Sequence, residues 1–205
     1  MPATNMNRAE RYRKRALEYL TSAYDDSFAA LSYSDSSWAY RYRTVFFRSK
    51  RYGADVEVHI DENDDGAAIF ADNYYRLAFK ESAESFFTYD ENAAYTVKVR
   101  FPDSVWSDEL SGIDDFRGYL SAGKAIDVFY LCKGEWSRDG ISQLVDRFCQ
   151  AAGNGRVEFF RIKDTDSLDL NACEIDEIFS HYAELVVEHE KYTVVNGMTD
   201  QPKGV

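Results

Sequence analysis

Cysteine is scarce in this chain: Cys132, Cys149 and Cys173 are the only three, and no Cys-x-x-Cys joins any of them. So odd and scattered a set excludes a disulfide framework and a zinc knuckle, which need paired or clustered sulfurs. Cys149 falls on the apolar stripe of an expected helix and Cys132 ends an apolar strand, so both read as core residues. Long apolar runs are missing as well. Nowhere do about 18 apolar residues follow one another, so no membrane-spanning helix is expected. The opening "MPATNMNRAER" lacks the apolar centre of a signal peptide. The chain as it stands therefore reads as cytoplasmic, or as an envelope protein if a leader has been removed.

The signatures of catalysis are also thin. Neither Gly-x-Ser-x-Gly nor Gly-x-Gly-x-x-Gly occurs, so the sequence offers no nucleophile elbow and no glycine-rich phosphate cradle. The nearest stretch, "AAGNGRV", reads as a helix stop before a strand. His59, His181 and His189 are the only imidazoles, and no two stand at the three- or four-residue spacing of paired helical metal ligands. Carboxylate pairs abound, such as Asp114 with Asp115 and Glu174 with Asp176 and Glu177. In a chain this acidic such pairs arise without a task, because acid–base work needs burial or a neighbour that shifts a pKa. The expectation is a noncatalytic protein with no cofactor.

What the chain has in quantity is aromatic residues and negative charge. Its 205 residues suffice for one large domain or two small ones, and 15 Tyr and 14 Phe point to a β-rich core with tyrosines at its margins. A formal net charge of −12 repels phosphate backbones and excludes broad nucleic-acid binding, while it suits a basic protein partner. The one dense basic stretch, Arg8 to Arg15, opens a helix whose dipole it opposes. It reads as a solvated first turn, with contact to an anionic membrane beside a missing anchor as its alternative use.

Periodicity gives an α+β fold: an N-terminal helix with an antiparallel sheet, followed by an α/β sandwich-like half in which strands and helices alternate. The first helix is "NRAERYRKRALEYLTSAYDD", with Ala16, Leu17, Leu20, Ala23 and Tyr24 inward. Strands follow in "SFAALSY", "SWAYRYRTVFFRS" and "ADVEVHID". In the middle one Trp38, Tyr40, Tyr42, Thr44 and Phe46 share the face expected to pack, with Arg41 and Arg43 outside. "DNYYRLAFKESAESFFT" returns to helical spacing. Beyond it, "AYTVKVRF", "AIDVFYLC", "RVEFFRIKD" and "AELVVEHEKYTVV" are strands. They alternate with a helix led by Ser111, one capped by Ser137 and ended by Gly153, and one turning Ile175, Ile178, Phe179 and Tyr182 inward. The organisation expected is 1–90, then 91–197, with a boundary near 88–94 across which a core is shared or divided, and a loose polar tail over 198–205.

One motif stands out against this plan. In "HIDENDDGAAIFADNYY", Asp61, Asn63, Asp65 and Gly66 occupy the first, third, fifth and sixth places of a calcium loop, and Asp72 the twelfth. Ligands and glycine bend match, but an EF-hand places a helix on each side of its loop. Here Val56, Val58 and Ile60 alternate with polar residues before it, so a solvated hairpin turn at Asp-Gly is the preferred reading. The order "ALEYLTSAYDDSF", an aromatic strand pair, the acidic turn and "DNYYRLAFKESAESFF" resembles the opening of uncharacterised secreted or membrane-anchored proteins of Gram-positive bacteria, over residues 14–87. Asp25 stands where a glycine is usual in that pattern. The resemblance implies a place at the cell envelope and no catalytic residue. The function expected is a noncatalytic macromolecular-interaction domain. Its alternatives are a metal-dependent hydrolase with Asp61, Asn63, Asp65 and Asp72 as calcium ligands, and an acidic immunity-type protein that masks a basic toxin.

Overall fold

The computed structural model describes residues 8–37, 41–89, 95–164 and 168–200. It is α+β and divides into two compact units, Met1–Ala78 with Ser104–Ser111, and Phe79–Asp103 with Gly112–Val205. The division falls inside one helix, between Ala78 and Phe79; of the expected boundary at 88–94, residues 90–94 lie outside the described set.

In the first unit, helix α1 (Arg8–Ala23) precedes four strands, β1 (Phe28–Ser34), β2 (Arg43–Ser49), β3 (Asp55–Glu62) and β4 (Ala68–Asp72). They pair antiparallel in chain order. The alternation in β3 does what its period requires, burying Val56, Val58 and Ile60 completely. Against them lie Val45 and Phe47 of β2 and Tyr12, Ala16 and Leu20 of α1, one residue per turn. Ala23, expected inward, is exposed, and Tyr12 takes a place in the core that its basic neighbours disguise.

The expected facing of β2 is reversed. Val45 and Phe47 line the core with Arg43 on their side of the strand, while Trp38 and Tyr40 lie outside the described residues. An arginine is tolerated there because its guanidinium stands 4.5 Å over the Tyr12 ring and meets Glu62 at 3.3 Å.

The second unit holds a five-stranded mixed sheet, β5 (Tyr95–Arg100), β6 (Ile126–Cys132), β7 (Asn154–Ile162), β8 (Val186–Val195) and β9 (Met198–Asp200), again in chain order. Of the crossovers expected, one is parallel: β6 reaches β7 through helix α4 (Arg138–Ala151), and the other pairs are antiparallel. All seven residues of β6 are buried, as suits a strand covered on both faces. Gly155, the second residue of β7, sits at φ 139° opposite Ile126, where a Cβ would come within 1.9 Å of the Ile126 carbonyl oxygen.

Ser137 caps α4 as expected, accepting the Gly140 N–H at 3.0 Å. The helix expected from Ser111 begins later, as α3 (Phe116–Ser121), because Gly112 turns the chain at φ 78° and Asp115 supplies the cap. Helix α2 (Tyr74–Phe87) spans the division of the units, and α5 (Ile175–His181) covers one end of the sheet with Ile175 and Ile178 against Phe129, Leu131, Phe160 and Ile162. Phe179 turns its ring edge-on to Phe160 at 5.3 Å as expected yet remains 40% exposed, and Met198–Asp200 of the expected tail pairs with β8 as β9.

Candidate functional site

The four residues of the calcium-like motif are distributed along a hairpin. β3 and β4 pair from Val58 opposite Asp72 to Glu62 opposite Ala68, and the chain reverses through Gly66 at φ 76°. The Asn63 side-chain oxygen accepts the Ala67 N–H at 2.7 Å, closing the turn. Asp61 stands opposite Ile69, and Asp65 lies in the turn. Asp72, at the far end of β4, is fully buried; it accepts the Tyr19 hydroxyl at 2.6 Å, the Tyr24 hydroxyl at 2.9 Å and the Tyr74 N–H at 2.8 Å. Among the described residues no three His, Cys, Asp or Glu converge as metal ligands.

Other buried carboxyls are equally occupied. Asp127 receives Arg156 Nε at 2.9 Å and Arg100 Nη2 at 3.3 Å, while Glu158 meets His189 Nε2 at 2.8 Å and Lys191 Nζ at 3.5 Å. These groups form a ladder across β5, β6, β7 and β8 in which each acid holds basic side chains in register. His59 sits between the rings of Tyr42 and Trp106, each 3.8 Å from its own, with Glu57 at 2.8 Å. Each of these clusters consumes its polar groups internally.

The opposite face of the second sheet is different. Strand register brings Tyr130 of β6 beside Phe159 of β7, their rings stacked at 5.1 Å and 9°. On this buried base stand three half-buried rings from three elements. Tyr95 of β5 meets Tyr130 edge-on at 5.4 Å, Tyr192 of β8 meets Phe159 at 5.9 Å, and Trp136, from the turn before α4, meets Phe159 at 5.4 Å and Tyr95 at 5.8 Å. The Trp136 indole N–H donates to the Phe160 carbonyl at 3.3 Å, fixing that ring over the sheet. The turn is held by the Gly134 N–H donating to Cys132 Sγ at 3.1 Å. Tyr192 donates to Glu190 Oε2 at 2.9 Å, and burial together with that carboxylate pushes its phenol up to about 12.

The result is a continuous aromatic shelf with hydroxyl and indole groups at its rim. It supplies apolar aromatic area at low side-chain entropy, the composition of binding hot spots. From Asp164 to Glu190 the sequence has nine Asp or Glu and no Lys or Arg; Glu188 and Glu190 lie on the shelf's face of β8, whereas α5, with Glu174, Asp176 and Glu177, packs against Phe129 and Phe160 on the other face. Lys133, Lys80, Arg100 and Arg161 reach in from outside to pair with Asp164, Glu174, Asp176 and Glu188.

Sequence reasoning missed the shelf because each ring alone resembles an ordinary core residue. Alternation places Tyr95 with Val97 and Tyr192 with Val194, and Trp136 precedes a helix cap where an apolar residue is common. Only the register of four strands unites them. No family model, curated protein or solved structure matches the chain.

Proposed function

We propose that this protein is a noncatalytic interaction domain that docks a basic protein partner on the aromatic shelf of its second unit. The observation that carries the reading is the contiguity of Tyr95, Trp136 and Tyr192, half-buried over Tyr130 and Phe159 and bordered by Glu190. Aromatic anchors of this kind dominate interface energies, and the rim charges set encounter rate and choice of partner. The net charge of −12, with Glu188 and Glu190 on the shelf's face of β8, supports a cationic partner, and the immunity-type alternative, a basic toxin masked by this chain, is one form of the same reading.

The test uses the partner retained from extracts of the native host by the immobilised full chain. Trp136→Ala and Tyr192→Ala should each weaken its binding by about 2 kcal/mol, roughly 30-fold, with circular dichroism unchanged. Raising salt should slow association more than dissociation. Equal affinity for wild type and both variants would refute the shelf.

A further inference from the structure

The outer edge of β8 is longer than the strand that covers it. β8 runs from Val186 to Val195, yet β9 pairs only with Thr193, Val194 and Val195. Among the described residues no strand pairs with Val186–Tyr192 on that side. An uncovered edge presents alternating N–H and C=O groups, a template for a further strand. Its length is ample, since strands in globular proteins commonly have about five or six residues. Every residue of the segment is exposed or half-exposed, with Val187 at 52%.

The side chains along this edge discriminate between occupants. Glu188, Glu190 and Tyr192 project to the face of the shelf, while His189 and Lys191 project to the other, where both are bound to buried Glu158. His189 and Lys191 are thus turned to Glu158, and on the shelf's face a newcomer meets Glu188, which also pairs with Arg161, then Glu190 and Tyr192, which share a hydrogen bond. A second copy of this strand would set glutamates against glutamates, which is unfavourable across a strand pair. A strand bearing Lys or Arg at alternate positions would set cations against Glu188 and Glu190, with the next side chain beside Tyr192.

We infer that Val186–Tyr192 is completed by an extended basic strand of a protein partner, added to the sheet by backbone pairing. The inference rests on the interaction reading and adds the mode of binding to it. The probe is a short peptide of alternating lysine and valine, offered to the full chain at saturation while amide hydrogen exchange is followed residue by residue. Every second amide of Val186–Tyr192 should exchange about tenfold more slowly with the peptide bound. The same peptide N-methylated at alternate residues, or with glutamate in place of lysine, should give no slowing, and Glu190→Lys should weaken the effect. Absence of slowing with the lysine–valine peptide, or equal slowing by the N-methylated one, would overturn the inference. Trp136→Ala separates the two proposals, because it abolishes the shelf and leaves the edge. Edge protection that persists in this variant supports strand addition whatever becomes of the shelf, and Trp136-dependent partner binding without edge protection overturns strand addition alone.

Discussion

Asp72 and Asp65 show how one residue type takes opposite roles within a single motif. Asp65 lies exposed in a turn, while Asp72 is wholly buried and receives two tyrosine hydroxyls and a backbone N–H. Removing acceptor capacity from a buried site leaves donors unpaired, whereas an exposed turn residue exchanges one set of water contacts for another. Asp72→Asn should therefore cost about 1–3 kcal/mol of unfolding free energy, and Asp65→Asn should stay within about 0.5 kcal/mol. Urea denaturation of both variants checks this, and equal midpoints would contradict the role given to Asp72. Nothing in "DNYY" separates these aspartates by itself. Burial depends on Tyr19 and Tyr24, distant in sequence and brought to Asp72 by the packing of α1 against the sheet.

At the scale of elements, much of the fold was legible. Alternation marked β3 and its three buried residues, the apolar run marked β6, and the stripe Ile141, Leu144, Val145 and Phe148 marked α4 with its Ser137 cap. Local signals failed where a distant partner decides the outcome. β2 turned its Arg43 side inward because Tyr12 and Glu62 receive the guanidinium, and α3 started late because one glycine reversed the chain. The shelf was illegible for the same reason, since register between strands is a tertiary property.

The tyrosines that join elements carry a pH consequence. Burial first, and Asp72 second, hold the Tyr19 and Tyr24 phenols above their ordinary range, and burial does the same for Tyr130. In the unfolded chain these groups ionise near about pH 10, so their contribution to stability is complete below that pH and is lost as pH rises toward the folded values. The urea midpoint should thus fall steeply between about pH 10 and about pH 11.5, with phenolate absorbance of these tyrosines appearing together with unfolding. Phenolate formation in the still-folded protein, at the ordinary tyrosine pH, would contradict it.

The whole molecule combines a net charge of −12 with an aromatic surface bordered by Glu188 and Glu190, and with an opposite sheet face whose buried charges are internally matched. Charge of one sign speeds approach of the opposite sign, and apolar rings then hold what arrives. The hydrolase alternative, by contrast, asks for Asp72 to join Asp61, Asn63 and Asp65, and the hairpin carries it to the far end of β4, opposite Val58. The central claim is that Tyr95, Trp136 and Tyr192 are covered when the partner binds. Hydroxyl-radical footprinting of the full chain, free and partner-bound, measures this directly. The account predicts that oxidation of these three side chains drops on binding while that of Tyr52 in the first unit is unchanged; unaltered oxidation of Trp136 and Tyr192 in the complex would contradict it.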